Sequence, residues 1–192
     1  MTDLVATFRE LVGNDGVLDR AEDIAGYRGD LAHPIDGDVR CVVRPRTTEQ
    51  VSAVVRTCAA AGVALTPRGG GTGLAGGATP EHGRSSVVIS FERMREIRAV
   101  DTVSDVMVVE AGCTLHGARQ AAADAGRLLG LDHGGASSQI GGNLSTNAGG
   151  NNVLRYGMAR DQVLGLEVVL ADGRVISQLS ALRKDNAGYD LK

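Results

Sequence analysis

The sequence predicts a domain of mixed α-helices and β-strands built around two glycine-rich loops. From Val39 onward, short apolar runs typical of buried strands alternate with segments whose apolar residues recur at helical spacing. Two glycine-rich stretches, residues 66–80 and 133–152, interrupt this alternation, and each holds six of the 27 glycines. Because glycine weakens a packed core, two such stretches indicate loops that bind one extended ligand.

Composition and charge fit a globular protein and argue against nucleic acid as a partner. The 192 residues suffice for one domain, or two small ones, with a real core. The net charge of -3, two Phe and three Tyr provide neither the basic face nor the stacking aromatics of a nucleic-acid binder. Cys41, Cys58 and Cys113 form no ligand pattern and are predicted to be small buried residues in a reducing compartment. The four histidines, His33 among them, are scattered and predict no metal site.

The first 38 residues are predicted to be a helical lead-in. An amphipathic helix is expected over residues 3–12, ended by Gly13, and a short second helix over 19–27. Residues 28–39 have the composition of a connecting loop. The N-terminus lacks the apolar centre of a signal peptide, and no run approaches the roughly 18 apolar residues of a membrane span. We therefore expect a cytoplasmic protein without a transmembrane segment.

A βαβ unit is predicted to lead into the first glycine loop. Residues 39–45 form a buried strand, and 47–62 form a helix with Thr47 or Thr48 as its N-cap and a glycine at its end. Residues 63–66 are then a strand that delivers the chain directly into the loop. The order of strand, helix and strand predicts a right-handed crossover.

The first glycine loop is predicted to hold a diphosphate. Gly71, Gly73 and Gly76 match the dinucleotide fingerprint GxGxxG, but Pro80 and Gly83 exclude the helix that a Rossmann fold requires at this point. What the glycines favour is a nest of backbone N–H groups that binds an anion without lysine and without metal. The alternative interpretation is a surface linker.

The rest of the chain is predicted to contain further strands, one regular helix and a closing hairpin. The predicted elements are a strand at 86–90, a strand pair at 95–101 and 105–112, a helix at 114–126 capped by Thr114, and a hairpin at 163–170 and 174–177.

The second glycine stretch places polar side chains among small residues. Asn143, Ser145, Thr146 and Asn147 offer amides and hydroxyls that can donate to and accept from a flat polar heterocycle. The alternative is a helix of small residues that packs closely on the sheet.

Six segments, in their order and spacing, carry a family resemblance. They are VVRPRTTEQVSAVV, TPRGGGTGLAGGA, VEAGCTLHGARQAAADAG, QIGGNLSTNAGG, RYGMARDQVLGLEVVLADG and LRKDNAGYDLK. Together they resemble the FAD-binding domain of FAD-linked oxidases of the vanillyl-alcohol oxidase type, over about residues 39–192. The branch they resemble most contains the D-lactate, glycolate and D-2-hydroxyglutarate dehydrogenases.

The resemblance implies an α+β FAD domain of two subdomains, about 39–98 and 99–192, with noncovalent FAD between them. Thr72 stands where members with a covalent flavin often carry His. The residues that the resemblance assigns to the cofactor are Pro67, Arg68, Gly69, Gly70, Gly71, Thr72, Gly73, Leu74, Gly76 and Gly77 around the pyrophosphate, and Gly141, Gly142, Asn143, Thr146, Asn147, Ala148 and Gly149 near the isoalloxazine ring.

The resemblance also implies a reaction, in which flavin N5 accepts a hydride from the α-carbon of a 2-hydroxy acid. Family members continue beyond the last motif with another FAD contact and a cap domain that binds the substrate, and an electron acceptor is also required. The chain ends before both, so we expect a C-terminally truncated domain with no catalytic residue of its own. His133, unexpected for the family at its position, is the best local candidate for a base, although a structural role is favoured. The alternative is a truncated or degenerate FAD-binding module without turnover.

Overall fold

The fold combines helices with small β-sheets, as expected. The computed structural model describes residues 3–32, 38–190 and 192. Its helices are α1 (Leu4–Val12), α2 (Ala21–Ile24), α3 (Thr48–Ala61), α4 (Leu115–Asp124), α5 (Ile140–Ser145) and α6 (Val153–Tyr156). Its strands are β1 (Val17–Leu18), β2 (Val39–Val43), β3 (Ala64–Arg68), β4 (Ser86–Ser90), β5 (Ile97–Asp101), β6 (Val106–Val109), β7 (Leu166–Val169) and β8 (Val175–Gln178).

The four-stranded sheet has the order β1-β2-β4-β3, in which β2 and β3 both run parallel to β4. The predicted βαβ crossover is therefore present, but it skips a strand, because β4 lies between β2 and β3. The burial of β4 accounts for this order, since all five of its residues, from Ser86 to Ser90, are buried. A strand covered on both faces belongs inside a sheet, with the more exposed β3 at its edge.

The caps of α3 and α4 confirm the predicted helix boundaries. Thr47, rather than Thr48, caps α3, since its hydroxyl accepts a hydrogen bond from the N–H of Gln50 at 3.3 Å. The helix ends at Gly62, whose φ of +64° is a conformation that favours glycine. Thr114 caps α4 in the same way through the N–H of Gly117.

Residues of α1 share one hydrophobic core with the sheet and α3. Phe8 of α1, Val43 of β2 and Val54 of α3 are all fully buried in it. The predicted burial of the cysteines is confirmed, with Cys41 and Cys58 in this core and Cys113 also buried. The N-terminal helix is therefore an integral part of the sheet's packing.

Two antiparallel hairpins follow the sheet, at the positions that the sequence predicts. β5 pairs with β6 and β7 pairs with β8. The second hairpin contacts α3 through its turn, where the Ser52 hydroxyl donates a hydrogen bond to the carbonyl of Gly173. Within the described ranges, no helix has the length and apolar content needed to cross a bilayer. The middle of the connecting loop predicted over 28–39, including His33, lies outside the described residues.

Candidate functional site

The first glycine loop leaves the end of β3 and stays irregular until β4. Residues 69–85, all of which are described, contain no helix, which confirms that the Rossmann arrangement is absent. Gly71 and Gly76 have φ values of +68° and +76°, in the left-handed region where a side chain is strained. The loop therefore depends on glycine for its shape.

The structure brings the two glycine-rich stretches into contact. A Cβ atom added at Gly70 would lie 2.6 Å from the carbonyl oxygen of Ser137, well inside any real contact. A Cβ atom added at Gly69 would lie 3.5 Å from the Cβ of Gln139 and 4.0 Å from the Cα of Gly142. The start of the first loop thus packs directly on the start of α5 and the turn before it.

Residues of the N-terminal lead-in hold the other side of the first loop. The buried carboxylate of Asp30 accepts a hydrogen bond from the N–H of Gly76 at 3.0 Å. The N–H of Leu31 donates to the carbonyl of Gly71 at 3.1 Å. The segment predicted as a plain connection is therefore a support for the loop.

Arg68, at the end of β3, binds the backbone of the lead-in. Its guanidinium donates to the carbonyls of Gly26, at 2.9 Å, and Gly29, and lies 5.6 Å from the centre of the Tyr27 ring. Burial lowers the pKa of the guanidinium below its ordinary value. Arg68 was assigned to the cofactor by resemblance, and in this structure its guanidinium bonds to the lead-in and lies against Gly71 of the loop.

Tyr27 connects the lead-in to residues that follow β2 and β4. Its hydroxyl donates to Glu92 at 2.7 Å, and Glu92 also forms an ion pair with Arg44 at 3.0 Å. Burial, followed by the hydrogen bond to Glu92, raises the pKa of Tyr27 to about 12.

The raised pKa of Tyr27 predicts a loss of stability in alkali. The unfolded chain loses its phenolic proton near the ordinary pKa of 10.0, whereas the folded chain retains it until about 12. Stabilisation by Tyr27 is therefore complete below pH 10.0 and falls as the pH rises towards 12. An absorbance titration of tyrosinate should show a component near pH 12 that is missing in Tyr27→Phe. Loss of a component near pH 10.0 in Tyr27→Phe, in place of one near pH 12, would contradict this assignment.

Side chains of the second stretch make their hydrogen bonds within the protein. Asn143 is buried, and its amide donates to the Ser138 hydroxyl at 3.1 Å while its oxygen contacts His133 at 3.3 Å. The oxygen of Asn147 accepts from the N–H of Arg160 at 3.1 Å. The Thr146 hydroxyl donates to a carbonyl one turn back in α5. Contact of these side chains with a heterocycle stays a prediction.

Close packing of the small residues is present at Gly141, but against Ala111, in the turn after β6, where the alternative interpretation expected the sheet. A Cβ atom added there would lie 2.8 Å from the Cβ of Ala111. Ala148 accepts a backbone hydrogen bond from Ala159, and a Cβ atom at Gly149 would meet the side chain of Met158 at 3.4 Å. These small residues therefore let α5 and its C-terminal turn approach their neighbours.

His133 has a structural role in the described contacts. Its Nδ1 accepts the N–H of Gly135 at 3.0 Å, so its Nε2 carries the proton and donates to Asn143. This pair of bonds orders the turn that precedes α5. The favoured structural role is consistent with this geometry.

The remaining predicted cofactor residues of the first loop are exposed. Pro67, Gly70, Gly73, Leu74 and Gly77 are accessible, and 68% of Leu74 is exposed. Thr72 is half-buried. A Cβ atom at Gly73 would come no closer than 4.0 Å to any described atom, and one at Gly77 would have open space around it.

One buried side chain stands out at the junction of the two stretches. Among the residues that the structure describes, Oε1 of the buried Gln139 has no hydrogen-bond partner, and this side chain faces Gly69. A bound ligand or an ordered water can supply the missing partner of such an atom. Sequence reasoning did not single out Gln139, which is the N-cap residue of α5 and lies two positions before Gly141. Gly71 and Gly76 have positive φ angles, as in an anion-binding nest, and contact of this loop with a diphosphate stays a prediction.

Comparison with known proteins identifies similar sequences. Residues 39–178 match the family described as FAD binding domain. The chain is 42% identical over 191 residues to the mitochondrial D-2-hydroxyglutarate dehydrogenase of Bos taurus, covering 99% of the chain and 34% of that protein. It is 38% identical over 191 residues to the D-2-hydroxyglutarate–pyruvate transhydrogenase of Saccharomyces cerevisiae, covering 98% of the chain and 38% of that protein. The chain thus spans about a third of the length of these relatives.

Solved structures share the fold. The structure of an alkyldihydroxyacetonephosphate synthase superposes with a TM-score of 0.84 at 20% identity, covering 93% of the chain and 34% of that protein. At this identity the likeness concerns the fold alone.

Proposed function

Since the chain belongs to the family of FAD-binding domains, we propose that it is the FAD-holding part of a flavin-dependent 2-hydroxyacid dehydrogenase. The identity of 42% to a D-2-hydroxyglutarate dehydrogenase, over nearly the whole chain, is the observation that carries this proposal. The substrate class is D-2-hydroxyglutarate, D-lactate or glycolate. A cap domain would bind the substrate, and a separate acceptor would take the electrons.

The proposed role of the chain is to hold and orient the cofactor. Backbone N–H groups of residues 69–77, apart from that of Gly76, which donates to Asp30, would bind the diphosphate, and residues 141–149 would border the isoalloxazine ring. Bound FAD would supply the hydride acceptor for oxidation of the hydroxyl-bearing carbon. Residues of this chain position that acceptor and shield it from water, and none of them is proposed as the catalytic base. A cytoplasmic location also stays a prediction, and the bovine relative is named as a mitochondrial protein.

Reconstitution with flavins tests the proposal directly. After incubation with FAD and desalting, the protein should keep visible flavin absorbance, and acid precipitation should release the flavin because it is held noncovalently. FAD should bind more tightly than riboflavin, which lacks the diphosphate. A protein that stays colourless, or that prefers riboflavin, would contradict the proposal.

An FAD-binding module without turnover is the second candidate, because His133, the local candidate for a base, uses both ring nitrogens in hydrogen bonds within the protein. Oxidation of D-2-hydroxyglutarate, D-lactate or glycolate with an artificial electron acceptor separates the two. FAD uptake without any oxidation would identify this chain as a cofactor module.

A further inference from the structure

Gln139 is a buried side chain whose hydrogen bonds are incomplete within the described chain. Only 8% of the residue is exposed, and among the described residues its Oε1 atom has no partner. Leaving a buried amide oxygen without a partner costs free energy, so native proteins rarely keep one without a reason. A hydrogen bond to a bound ligand is such a reason.

The backbone of Gln139 is held by contacts with α5 and with the residue before α4. The N–H of Asn143 donates to the Gln139 carbonyl at 3.0 Å, and Gln139 forms an isolated β-bridge with Thr114. A Cβ atom at Gly69 would lie 3.6 Å from Oε1 of Gln139. The amide therefore lies where the first glycine loop meets α5.

We propose that Oε1 of Gln139 accepts a hydrogen bond from a hydroxyl of the ribityl chain of FAD, an inference that rests on the proposed function. An amide oxygen needs a donor, and an ionised diphosphate has only acceptors to offer. The ribityl chain carries hydroxyl donors and joins the diphosphate to the isoalloxazine ring. Since Gln139 lies between the residues proposed for these two groups, the ribityl chain is the part of FAD that passes it.

Replacing Gln139 with leucine should weaken FAD binding and strengthen the protein without cofactor. We expect the Kd for FAD, measured by quenching of flavin fluorescence, to rise about tenfold. The Kd for ADP, which has the diphosphate but no ribityl chain, should stay within about twofold in competition with FAD. The cofactor-free variant should unfold a few degrees higher, because the unpartnered amide is gone. Gln139→Met, which also lacks the amide, should show the same changes in the Kd for FAD and in the unfolding temperature.

Gln120→Leu is the matched control. Gln120 lies exposed on α4 and hydrogen-bonds to Asp124 at 2.8 Å, so its replacement should leave the Kd for FAD unchanged.

Three results would overturn the inference. An unchanged Kd for FAD would mean that the amide makes no such bond. Equal weakening of FAD and ADP would place the contact at the diphosphate or the adenosine. Loss of both FAD affinity and cofactor-free stability would identify a structural role. Failure of the wild-type protein to bind any FAD would instead contradict the proposed function.

Discussion

Gly70→Val is expected to abolish FAD binding and to lower the free energy of unfolding by about 1–3 kcal/mol. A Cβ atom at this position would lie 2.6 Å from the backbone oxygen of Ser137, and the backbone cannot swing away as a flexible side chain can. The two glycine-rich stretches would be forced apart at the place where they meet. Flavin fluorescence and denaturant unfolding measure the two effects separately.

Gly73→Ala is expected to weaken FAD binding without lowering the stability of the fold. Gly73 has ordinary φ, and an added Cβ would stay 4.0 Å from the nearest described atom, so this variant should fold at least as well as the wild type. It should still weaken FAD binding, because the methyl group occupies space that a phosphate needs. Gly188→Ala, in equally open surroundings, is the control and should bind normally. Wild-type affinity in Gly73→Ala would show that the diphosphate does not approach this part of the loop.

Arg68→Ala is expected to lower the free energy of unfolding by about 3 kcal/mol, with FAD affinity falling as a consequence. The substitution leaves the carbonyls of Gly26 and Gly29 without their charged donor and removes the contact with Tyr27. Arg68→Lys should recover little, because an ammonium group cannot span two carbonyls as a planar guanidinium does. Denaturant unfolding of the cofactor-free proteins provides the measurement.

Arg84→Ala is the control for the lower free energy of unfolding expected of Arg68→Ala. Arg84 is exposed and faces Glu81 at 3.7 Å, an arrangement worth less than about 1 kcal/mol. If Arg68→Ala unfolded like Arg84→Ala and yet lost FAD, Arg68 would act at the cofactor and not as the anchor of the lead-in.

Local features of the chain were predictable from sequence because their causes are local. Thr47 and Gly62 delimit α3 through cap chemistry that involves only a few neighbouring residues. The absence of a helix after the first glycine loop follows in the same way from Pro80 and Gly83. The family also emerged from motif order, and the match over residues 39–178 confirms it.

Features that depend on distant parts of the chain were not predictable in this way. The insertion of β4 between β2 and β3 is a choice between sheet orders that periodicity cannot make. Asp30 was part of a predicted loop, and its bond to Gly76 spans 46 positions. Gln139 had no distinguishing signal, since its significance comes from burial and a missing partner.

The polar residues of the second stretch illustrate a different limit. The sequence marked Asn143 and Asn147 as possible partners of a heterocycle, but it could not show which groups of the protein they satisfy. In the structure the amide of Asn143 lies between Ser138 and His133, and Asn147 holds the backbone at Arg160. The same donors and acceptors that suit a ligand also suit a tight turn.

The bond between Asp30 and Gly76 has a consequence for the minimal folding unit. The stretch that matches the FAD family begins at residue 39, after Asp30 and after Phe8 of the core. An expressed fragment trimmed to that match would lose Phe8 from the core and the hydrogen bond from Gly76 to Asp30. The piece of chain that must be kept intact for cofactor binding therefore starts well before the first recognisable motif.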